Sequence, residues 1–419
     1  MHNKSKIKLS KSTLLIILCW LAYACSYIGK LSYNANINPI RALYGISYAD
    51  AGTVSTFFFF VYGIGQVVNG IMCKRYNVKL VVFSSLIVAS AMNFLMVSVG
   101  DFSIMKYLWL INGAAMSFLW TSLIRLLSET LPKKDIPTSV IAMGTTVATG
   151  TFIVYGLSAI FTATVGFQLT FYIAAAIMTV VAFIWIFSFD GLVTPLRAER
   201  ETEIASIETS DAKPGAKGGL GSLGVFLGVL AFFSVADNLA KDGLTSWTPS
   251  ILKSIYHTPD WLSILLTLLL PVMAALGAMV AVKIQKLTNN FVTTCTVLFG
   301  SSALMIGVVI LFISTSQIVL TIGCFALVSC LMSAVNNVVT SMVPLNMKDK
   351  VNSGLLAGVL NGFCYLGSTV SSYGLGSVAD NHGWLAVFYV LLGVVGLCAV
   401  IGIAYNAFAS IKAGRSAGV

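Results

Sequence analysis

The chain is dominated by apolar stretches that are each about as long as a helix needs to cross a lipid bilayer. A hydrocarbon core of roughly 30 Å takes about 20 apolar residues in a helix, and twelve such stretches follow one another over the 419 residues. Only 10% of the residues are charged and 57% are hydrophobic, whereas soluble domains carry about 25% charged residues. The sequence therefore predicts an all-α polytopic membrane protein and excludes a soluble globular fold.

The longest polar segment divides the twelve predicted spans into six and six. It covers residues 190–219 and combines charged residues with Pro and Gly, a composition typical of a flexible linker. We therefore predict an N-terminal six-helix half over residues 1–189, a cytoplasmic linker over 190–219 and a C-terminal six-helix half over 220–419. The predicted spans are residues 13–37, 50–72, 79–98, 104–129, 138–163, 167–189, 220–246, 260–282, 291–313, 316–341, 352–377 and 384–408.

Basic residues favour one side of the membrane. Of the 25 Lys and Arg residues, 19 fall in the terminal segments and in every second loop, whereas the opposite loops hold only Arg41, Lys106 and Lys253. Because cytoplasmic loops carry the excess of Lys and Arg, we expect a multi-pass protein of the plasma (cytoplasmic) membrane with both termini in the cytoplasm. This asymmetry accounts for the net charge of +10, so we expect no nucleic-acid partner.

Two lysines lie inside predicted spans, at matching positions of the two halves. Lys30 is in the first span and Lys241 is in the seventh, 211 residues later. A lysine at a helix centre costs roughly 2.5 to 3.5 kcal/mol on insertion scales, so we interpret the pair as part of a pathway for an anion. Each lysine belongs to a polar stripe on one helix face, and the stripes are Tyr23, Tyr27, Lys30 and Asn34, and Ser234, Asn238, Lys241 and Thr245.

Cysteine and histidine are not spaced as in metal or catalytic sites. The eight cysteines lie within or at the ends of apolar spans, and the three histidines lie near termini or outer loops. We therefore expect no metal ligand, no cofactor and no catalytic residue, so the sequence does not indicate an enzyme. It also lacks the phosphate-binding loop of ATP-driven pumps, so transport would have to use a gradient.

Four segments resemble the organophosphate:phosphate antiporter family of the major facilitator superfamily, which includes glycerol-3-phosphate and hexose-phosphate transporters. The segment that starts at Lys241, with sequence KDGLTSWTP, is the most specific, because it resembles the family pattern Arg-x-Gly-x-x-x-Trp-x-Pro. The resemblance implies twelve helices in two pseudo-symmetric halves, a substrate site near the membrane midplane and alternating access. The four segments are residues 27–33, 62–79, 241–249 and 365–384.

The resemblance also implies a substrate site. One arginine from each half clamps the phosphate in that family, and the matching positions are Lys30 and Lys241. Lysine keeps the positive charge but lacks the planar fork that arginine offers to an oxyanion. The other implied substrate-binding positions are Tyr23, Tyr27, Tyr62, Gln66, Thr145, Asn238 and Tyr365.

Three of these positions depart from the family pattern. Gln66 replaces a lysine, Thr145 replaces a histidine and Asn238 replaces a tyrosine. Each change removes a positive, titratable or aromatic group. The departures favour a substrate with less negative charge than a phosphate dianion, such as a carboxylate or a sulfonate.

The sequence also offers candidates for coupling and gating. Asp237 precedes Lys241 by four residues, so we expect the two to form an ion pair, whereas Asp242 would point about 100° away. Asp237 is alternatively a proton acceptor, because a carboxylate inside a membrane is a proton-relay candidate. The remaining candidates are the i, i+4 pair Arg125 and Glu129 and the basic inner turn at Lys74 and Arg75.

Three functions remain open from the sequence. The leading hypothesis is a secondary active transporter, antiporter or symporter, of a small organic anion such as a phosphorylated sugar, phosphorylated glycerol or carboxylate. We expect a monomer in the lipid bilayer, with a proton or phosphate as the counter-substrate. The alternatives are a proton-coupled efflux carrier for amphiphilic compounds and a sugar-phosphate sensor that does not transport.

Overall fold

The computed structural model describes residues 10–72, 75–205, 220–313, 317–347 and 353–417. All regular secondary structure in these ranges is helical, with a 3₁₀ turn at Lys133–Asp135 and a π-turn at Val338–Met342. The helices are α1 Lys11–Ala35, α2 Ile37–Tyr44, α3 Tyr48–Met72, α4 Val78–Ser98, α5 Phe102–Met116, α6 Leu119–Thr130, α7 Ile136–Thr164, α8 Gln168–Ala205, α9 Leu220–Tyr256, α10 Asp260–Thr267, α11 Leu269–Ala274, α12 Gly277–Thr288, α13 Phe291–Phe312, α14 Ile318–Asn337, α15 Val343–Asn346 and α16 Ser353–Ala417.

The helices match the predicted membrane spans. In the described ranges, eleven helical stretches are long and apolar enough to cross a membrane. The last of them, Leu355–Phe408, has 54 residues and breaks at Gly383, where φ is 76° and ψ is 173°. Because one crossing takes about 20 residues, α16 consists of two helices that correspond to the eleventh and twelfth predicted spans. The prediction of an all-α fold with twelve spans is confirmed.

Three predicted spans are interrupted. The fourth span is divided between α5 and α6. The eighth span consists of α10, α11 and α12, and the tenth continues from α14 through the π-turn into α15. Pro344 lacks the N–H group that an α-helix would donate to the carbonyl of Thr340, and the chain widens to a π-turn over Val338–Met342. Such single π-turns are frequent at functional sites.

The predicted linker begins as a helix. Helix α8 continues beyond the predicted end of the sixth span at residue 189 and ends at Ala205, so the prediction of a flexible segment from residue 190 is wrong for its first part. Arg and Glu favour helices, and Arg197 and Glu201 have the i, i+4 spacing that supports one. Residues 206–219 lie outside the described ranges, and the division into six-helix halves stays a prediction.

Helices α3 and α16 form the most extensive contact between the two predicted halves. Glycines allow this close approach near the N-terminal end of α3. A Cβ atom on Gly52 would lie 2.1 Å from the carbonyl oxygen of Ser372, and a Cβ atom on Gly376 would lie 2.7 Å from that of Tyr48. Small residues let membrane helices pack backbone against backbone, so these glycines bring the two halves together at this end.

Candidate functional site

A cavity of about 510 Å³ lies between the two predicted halves. Tyr23, Tyr62 and Tyr365 line it near the middle of their helices, and Arg125 and Ser128 line it near the end of α6. That end of α6 precedes the lysine-containing turn at residues 133–134, on the side predicted to be cytoplasmic. The volume is within the usual range of about 300 to 1,000 Å³ for small-molecule sites.

The side chain of Lys30 lies in a cage of aromatic rings beside this cavity. Its residue is only 7% exposed, so the lysine does not extend to water at a helix end. Its ammonium donates a 3.3 Å hydrogen bond to the hydroxyl of Tyr365. Within the described ranges, no carboxylate lies within 4.0 Å of the ammonium. The rings of the cage, with centroids 4.3 to 5.8 Å from the ammonium, are those of Tyr27, Phe58, Phe59, Tyr62 and Tyr365.

Helix geometry explains how three helices build the cage. Phe58 and Tyr62 are four residues apart on α3, so they face the same way, and their rings stack with centroids 5.6 Å apart. Tyr365 on α16 contacts the ring of Tyr62 with a centroid distance of 4.6 Å. A desolvated cation over an aromatic face is stabilised by about 2 kcal/mol. Aromatic faces thus offset part of the cost of burying Lys30, without an acidic partner.

Lys241 lies in a polar network between α9 and α16. Its ammonium donates a 2.9 Å hydrogen bond to the side-chain oxygen of Asn238 and lies 3.9 Å from a carboxylate oxygen of Asp242. Ser368 joins the two partners, because its hydroxyl donates to Asp242 at 2.6 Å and accepts from Asn238 at 3.1 Å. Asp242 also interacts electrostatically with Lys30, so the two lysines belong to one charged site.

The predicted ion pair between Asp237 and Lys241 is wrong. Asp237 is 0% exposed and accepts a 3.0 Å hydrogen bond from the side-chain amide of Asn336. Its other oxygen, Oδ1, has no hydrogen-bond partner. Asn336 on α14 donates to Asp237, and Ser368 on α16 donates to Asp242 near Lys241, so neighbouring helices rather than the i, i+4 spacing supply the hydrogen-bond partners of both carboxylates. Asp237 and Lys241 still interact electrostatically.

The other predicted substrate-binding residues occupy different positions around the cavity. Gln66 lines the cavity and donates to the backbone carbonyl of Ser117 at 3.1 Å. Thr145 is exposed and accepts a 2.9 Å hydrogen bond from the indole of Trp20, and it is not among the described residues that line the cavity. Tyr27 contributes to the Lys30 cage, and its ring is 5.4 Å from that of Tyr23.

The structure describes three of the four remaining gating candidates, Arg75, Arg125 and Glu129. Arg125 and Glu129 form the expected i, i+4 ion pair at 2.8 Å, and Arg125 lines the cavity. Arg75 is exposed, and its backbone N–H donates to the carbonyl of Met72 at 2.8 Å. Lys74 lies outside the described residues. The gating roles of these residues stay predictions.

Hydrogen bonds between the halves close the end of the site opposite Arg125. Asn34 on α1 donates to the hydroxyl of Ser246 on α9 at 2.7 Å. Asp380 on α16 accepts hydrogen bonds from the backbone N–H groups of Tyr48 and Ala49 at 3.0 and 2.7 Å. The site is therefore closed on the side of Tyr48, whereas the cavity extends toward the end of α6.

Sequence reasoning missed Asn336 and Ser368 in the polar network, as well as Phe58 and Phe59 in the cage around Lys30. Asn336 donates to Asp237 and lines the cavity, and Ser368 connects Asn238 to Asp242. The adjacent amides Asn336 and Asn337 in an otherwise apolar span were a usable signal, because polar side chains are costly inside a membrane. Ser368 gave no such signal. Within the described ranges, no group of three His, Cys, Asp or Glu residues is placed to hold a metal ion.

Comparison with protein families gives one match that covers most of the chain. The model of the Major Facilitator Superfamily matches residues 19–372. The membrane sensor protein UhpC of Escherichia coli (strain K12) is 29% identical over 99 residues, 24% of this chain and 23% of UhpC. UhpC of Salmonella typhimurium is 29% identical over 104 residues, 25% of this chain and 24% of that protein. The aligned segments thus span about a quarter of these relatives.

Solved structures share the overall architecture. A bacterial homolog of the human lysosomal transporter Spinster, in an inward-facing and occupied conformation, has a TM-score of 0.72 at 13% identity, covering 96% of this chain and 97% of that chain. The nucleoside transporter NupG has a TM-score of 0.68 at 16% identity, covering 94% of this chain and 99% of that chain. At such low identities the likeness shows a common fold and does not indicate a common substrate.

Proposed function

Because this chain belongs to the Major Facilitator Superfamily, we propose that it is a secondary transporter of a small organic anion, with Lys30 and Lys241 as the anion-binding groups. Transporters with two such halves bind substrate near the membrane midplane and expose it alternately to either side. The observation that carries the proposal is the environment of Lys30, a buried ammonium with aromatic neighbours and no carboxylate within 4.0 Å in the described ranges.

Burial makes Lys30 a strong site for an anion. A buried charge without a counter-ion costs several kcal/mol in a medium of low dielectric. An anionic oxygen that enters the cage would pair with the ammonium through charge-assisted hydrogen bonds, each contributing about 1.5 to 3 kcal/mol. Tyr62 and Tyr365 both contact Lys30 and line the cavity, so the cage is adjacent to the space through which a substrate would arrive.

The two lysines support binding of one substrate by both halves. Lys30 lies on α1 and Lys241 on α9, two helices that are in contact, and their positive charges repel each other while Asp242 attracts Lys30. The ammonium of Lys241 donates a hydrogen bond to Asn238 and lies near Asp242. A substrate anion therefore has to compete with these two side chains for the ammonium. Lys30 is then the first contact, and Lys241 joins when the network around Asp242 rearranges.

The substrate class is a small organic anion, either a phosphorylated sugar or glycerol or a carboxylate. The resemblance of four segments to the organophosphate:phosphate antiporter family favours a phosphorylated sugar or glycerol. Lysine at both clamp positions, with Gln66 and Asn238 nearby, favours a ligand of lower charge than a phosphate dianion. The cavity of about 510 Å³ has room for either.

A binding screen followed by transport measurement tests the proposal. Purified protein is screened by thermal unfolding with inorganic phosphate, sugar phosphates, glycerol phosphate and carboxylates, because a ligand at 100 times its Kd adds about 2.7 kcal/mol of stability. Ligands that stabilise the protein are then tested for uptake into proteoliposomes. We expect at least one organic anion to bind and to be transported. Stabilisation by amphiphilic cations, with no effect of any anion, would instead favour the efflux carrier.

A second candidate is a sensor that binds a sugar phosphate without transporting it. The observation that favours it is the partial match to a membrane sensor protein. The same experiment separates the two, because a sensor would be stabilised by a ligand that proteoliposomes do not take up.

A further inference from the structure

Four ionisable groups on α1 and α9, near the middle of the site, balance in charge. Lys30 and Lys241 carry two positive charges, and Asp237 and Asp242 carry two negative charges when ionised. Helices α1 and α9, which carry all four groups, are in contact. If a substrate anion enters this site, the site becomes net negative in a medium where unbalanced charge is costly. A cation that enters with the anion would restore the balance.

Asp237 is placed to accept that cation as a proton. It is fully buried, and Oδ1 has no hydrogen-bond partner, whereas Oδ2 accepts from Asn336. An ionised carboxylate with an unpaired buried oxygen costs more than the neutral acid, because burial penalises the charged form. A proton on Oδ1 removes the charge and leaves the hydrogen bond from Asn336 intact.

Asn336 connects Asp237 both to the cavity and to the anion site. It lines the cavity and donates a hydrogen bond to Oδ2 of Asp237, so its side chain connects that carboxylate to the cavity wall. Its amide also lies 3.4 Å from the side-chain oxygen of Asn238, the atom that accepts from Lys241. When an anion draws Lys241 away, the side-chain oxygen of Asn238 loses its donor. That oxygen can then accept a stronger hydrogen bond from the Asn336 amide. That shift would weaken the hydrogen bond that stabilises ionised Asp237 and would favour the protonated form.

Other groups around Asp237 are less suited to the role. Asp242 already has partners, because it accepts a hydrogen bond from Ser368 at 2.6 Å and lies 3.9 Å from the ammonium of Lys241. Unperturbed thiols are neutral near pH 7, so the cysteines do not balance an anion. Among the described residues, the titratable and charged groups that interact with Asp237 itself are Lys241 and Asp242 on α9, Cys295 on α13, and Cys364 and Cys398 on α16. Lys30 on α1 and the hydroxyls of Tyr27, Tyr155 and Tyr365 interact with Asp242.

We propose that Asp237 binds a proton when the substrate anion binds at Lys241, so that the protein is a proton–anion symporter. The inference rests on the proposed anion transport. In each cycle one proton moves from water in the cavity to Oδ1 of Asp237 and leaves to water on the opposite side after the halves rock. For a monoanion the loaded site carries the same net charge as the empty site, so transport moves no net charge.

Proton uptake on binding tests this directly. An anion found by the thermal screen is added to detergent-solubilised protein in weakly buffered solution with a pH indicator near pH 7. We expect the wild-type protein to take up a proton for each anion bound. We expect Asp237→Asn to bind the anion without proton uptake, and Asp190→Asn, which changes a carboxylate that pairs with Lys79 on the predicted cytoplasmic side, to behave as the wild type.

Transport gives a second readout. Asp237→Asn should retain exchange of labelled for unlabelled anion across proteoliposomes while losing accumulation driven by a pH gradient. Binding without proton uptake by the wild type would overturn the inference and leave the anion transporter standing, whatever the variant does. Unchanged proton uptake by Asp237→Asn would also overturn it. Failure of the wild type to bind any anion would overturn the proposed function itself, and this inference with it.

Discussion

The ammonium of Lys30 donates a hydrogen bond to the hydroxyl of Tyr365, 335 residues later in the chain and in the opposite predicted half. This contact joins α1 to α16 at the wall of the cavity between the halves. An anion that binds Lys30 competes with Tyr365 for the same ammonium. Occupancy of the site is therefore linked to a contact that holds the two halves together.

Arginine at the clamp positions should change which anion is preferred. Lys30→Arg and Lys241→Arg keep the positive charge and introduce a planar fork that binds two oxyanion oxygens. We expect the double variant to prefer phosphorylated ligands over carboxylates more strongly than the wild type. Competition between the two ligand classes in the binding assay measures this. An unchanged preference would show that the lysines do not contact the anion.

Asp380 should stabilise the conformation that is closed on the side of Tyr48. Its exposed carboxylate accepts from the first N–H groups of α3 across the interface between the halves, and a charge at an exposed helix terminus contributes about 0.3 to 1 kcal/mol. Asp380→Asn should therefore shift the balance toward opening on this side by roughly 2- to 5-fold. Labelling of a Ser246→Cys variant by an impermeant maleimide reports that opening.

The control for Asp380→Asn is a carboxylate that caps a helix of its own half and, within the described ranges, makes no hydrogen bond across the interface. Asp101 accepts a 2.8 Å hydrogen bond from the backbone N–H of Ser103 at the start of α5, within one half. Asp101→Asn should leave labelling at residue 246 unchanged. If both variants raise labelling equally, general loosening of helix ends explains the result, and Asp380 has no special role in closure.

A methyl group on Gly52 should oppose the same closure by a different mechanism. The Cβ atom of an alanine would lie 2.1 Å from the carbonyl oxygen of Ser372, so α3 and α16 have to separate at this end. Gly374→Ala is the matched control, because its Cβ atom would meet its nearest neighbour, in Val370, at 4.0 Å. We expect Gly52→Ala to raise labelling of Ser246→Cys and Gly374→Ala to leave it unchanged. Equal labelling would contradict the closed arrangement.

Arg125 should contribute to substrate passage more than to stability. Its pair with Glu129 is an i, i+4 bridge whose Glu129 side chain is 42% exposed, and such exposed pairs contribute about 0.3 to 0.5 kcal/mol. Glu129→Gln should therefore change the unfolding temperature little, whereas Arg125→Gln should raise the KM for the anion because Arg125 lines the cavity. Thermal unfolding and uptake kinetics of the two variants test this. A large loss of stability in Glu129→Gln would show a structural role.

The sequence predicted the helices and the polar helix faces that carry Lys30 and Lys241, because both follow from local rules. The length of apolar stretches predicted the spans, and the repeated spacing around Lys30 and Lys241 predicted that both lie on polar helix faces. The cage around Lys30 was only partly predictable, since Tyr27 and Tyr62 were expected at the site but Phe58 and Phe59 were not. Nothing in the local sequence of α3 shows which ring meets a lysine on α1.

The environment of Asp237 was not predictable from its own helix. The i, i+4 rule is valid for an isolated helix, but partners on α14 and α16 decide where each carboxylate points. Asn336 donates a hydrogen bond to Asp237, and Ser368 donates one to Asp242, which lies near Lys241. The helical start of the predicted linker was missed for a related reason, because its charged composition suits both a flexible segment and a solvated helix.

The most direct test of the central claim is the affinity of the two lysine variants for the anion. Lys30→Gln and Lys241→Gln remove the charges while keeping polar side chains of similar length, and Lys106→Gln changes a lysine that lies over Tyr107 and away from the cavity. Losing a charge-assisted contact of about 1.5 to 3 kcal/mol should weaken binding at least about tenfold in each clamp variant and leave Lys106→Gln unchanged. Wild-type affinity and transport in both clamp variants would contradict the account.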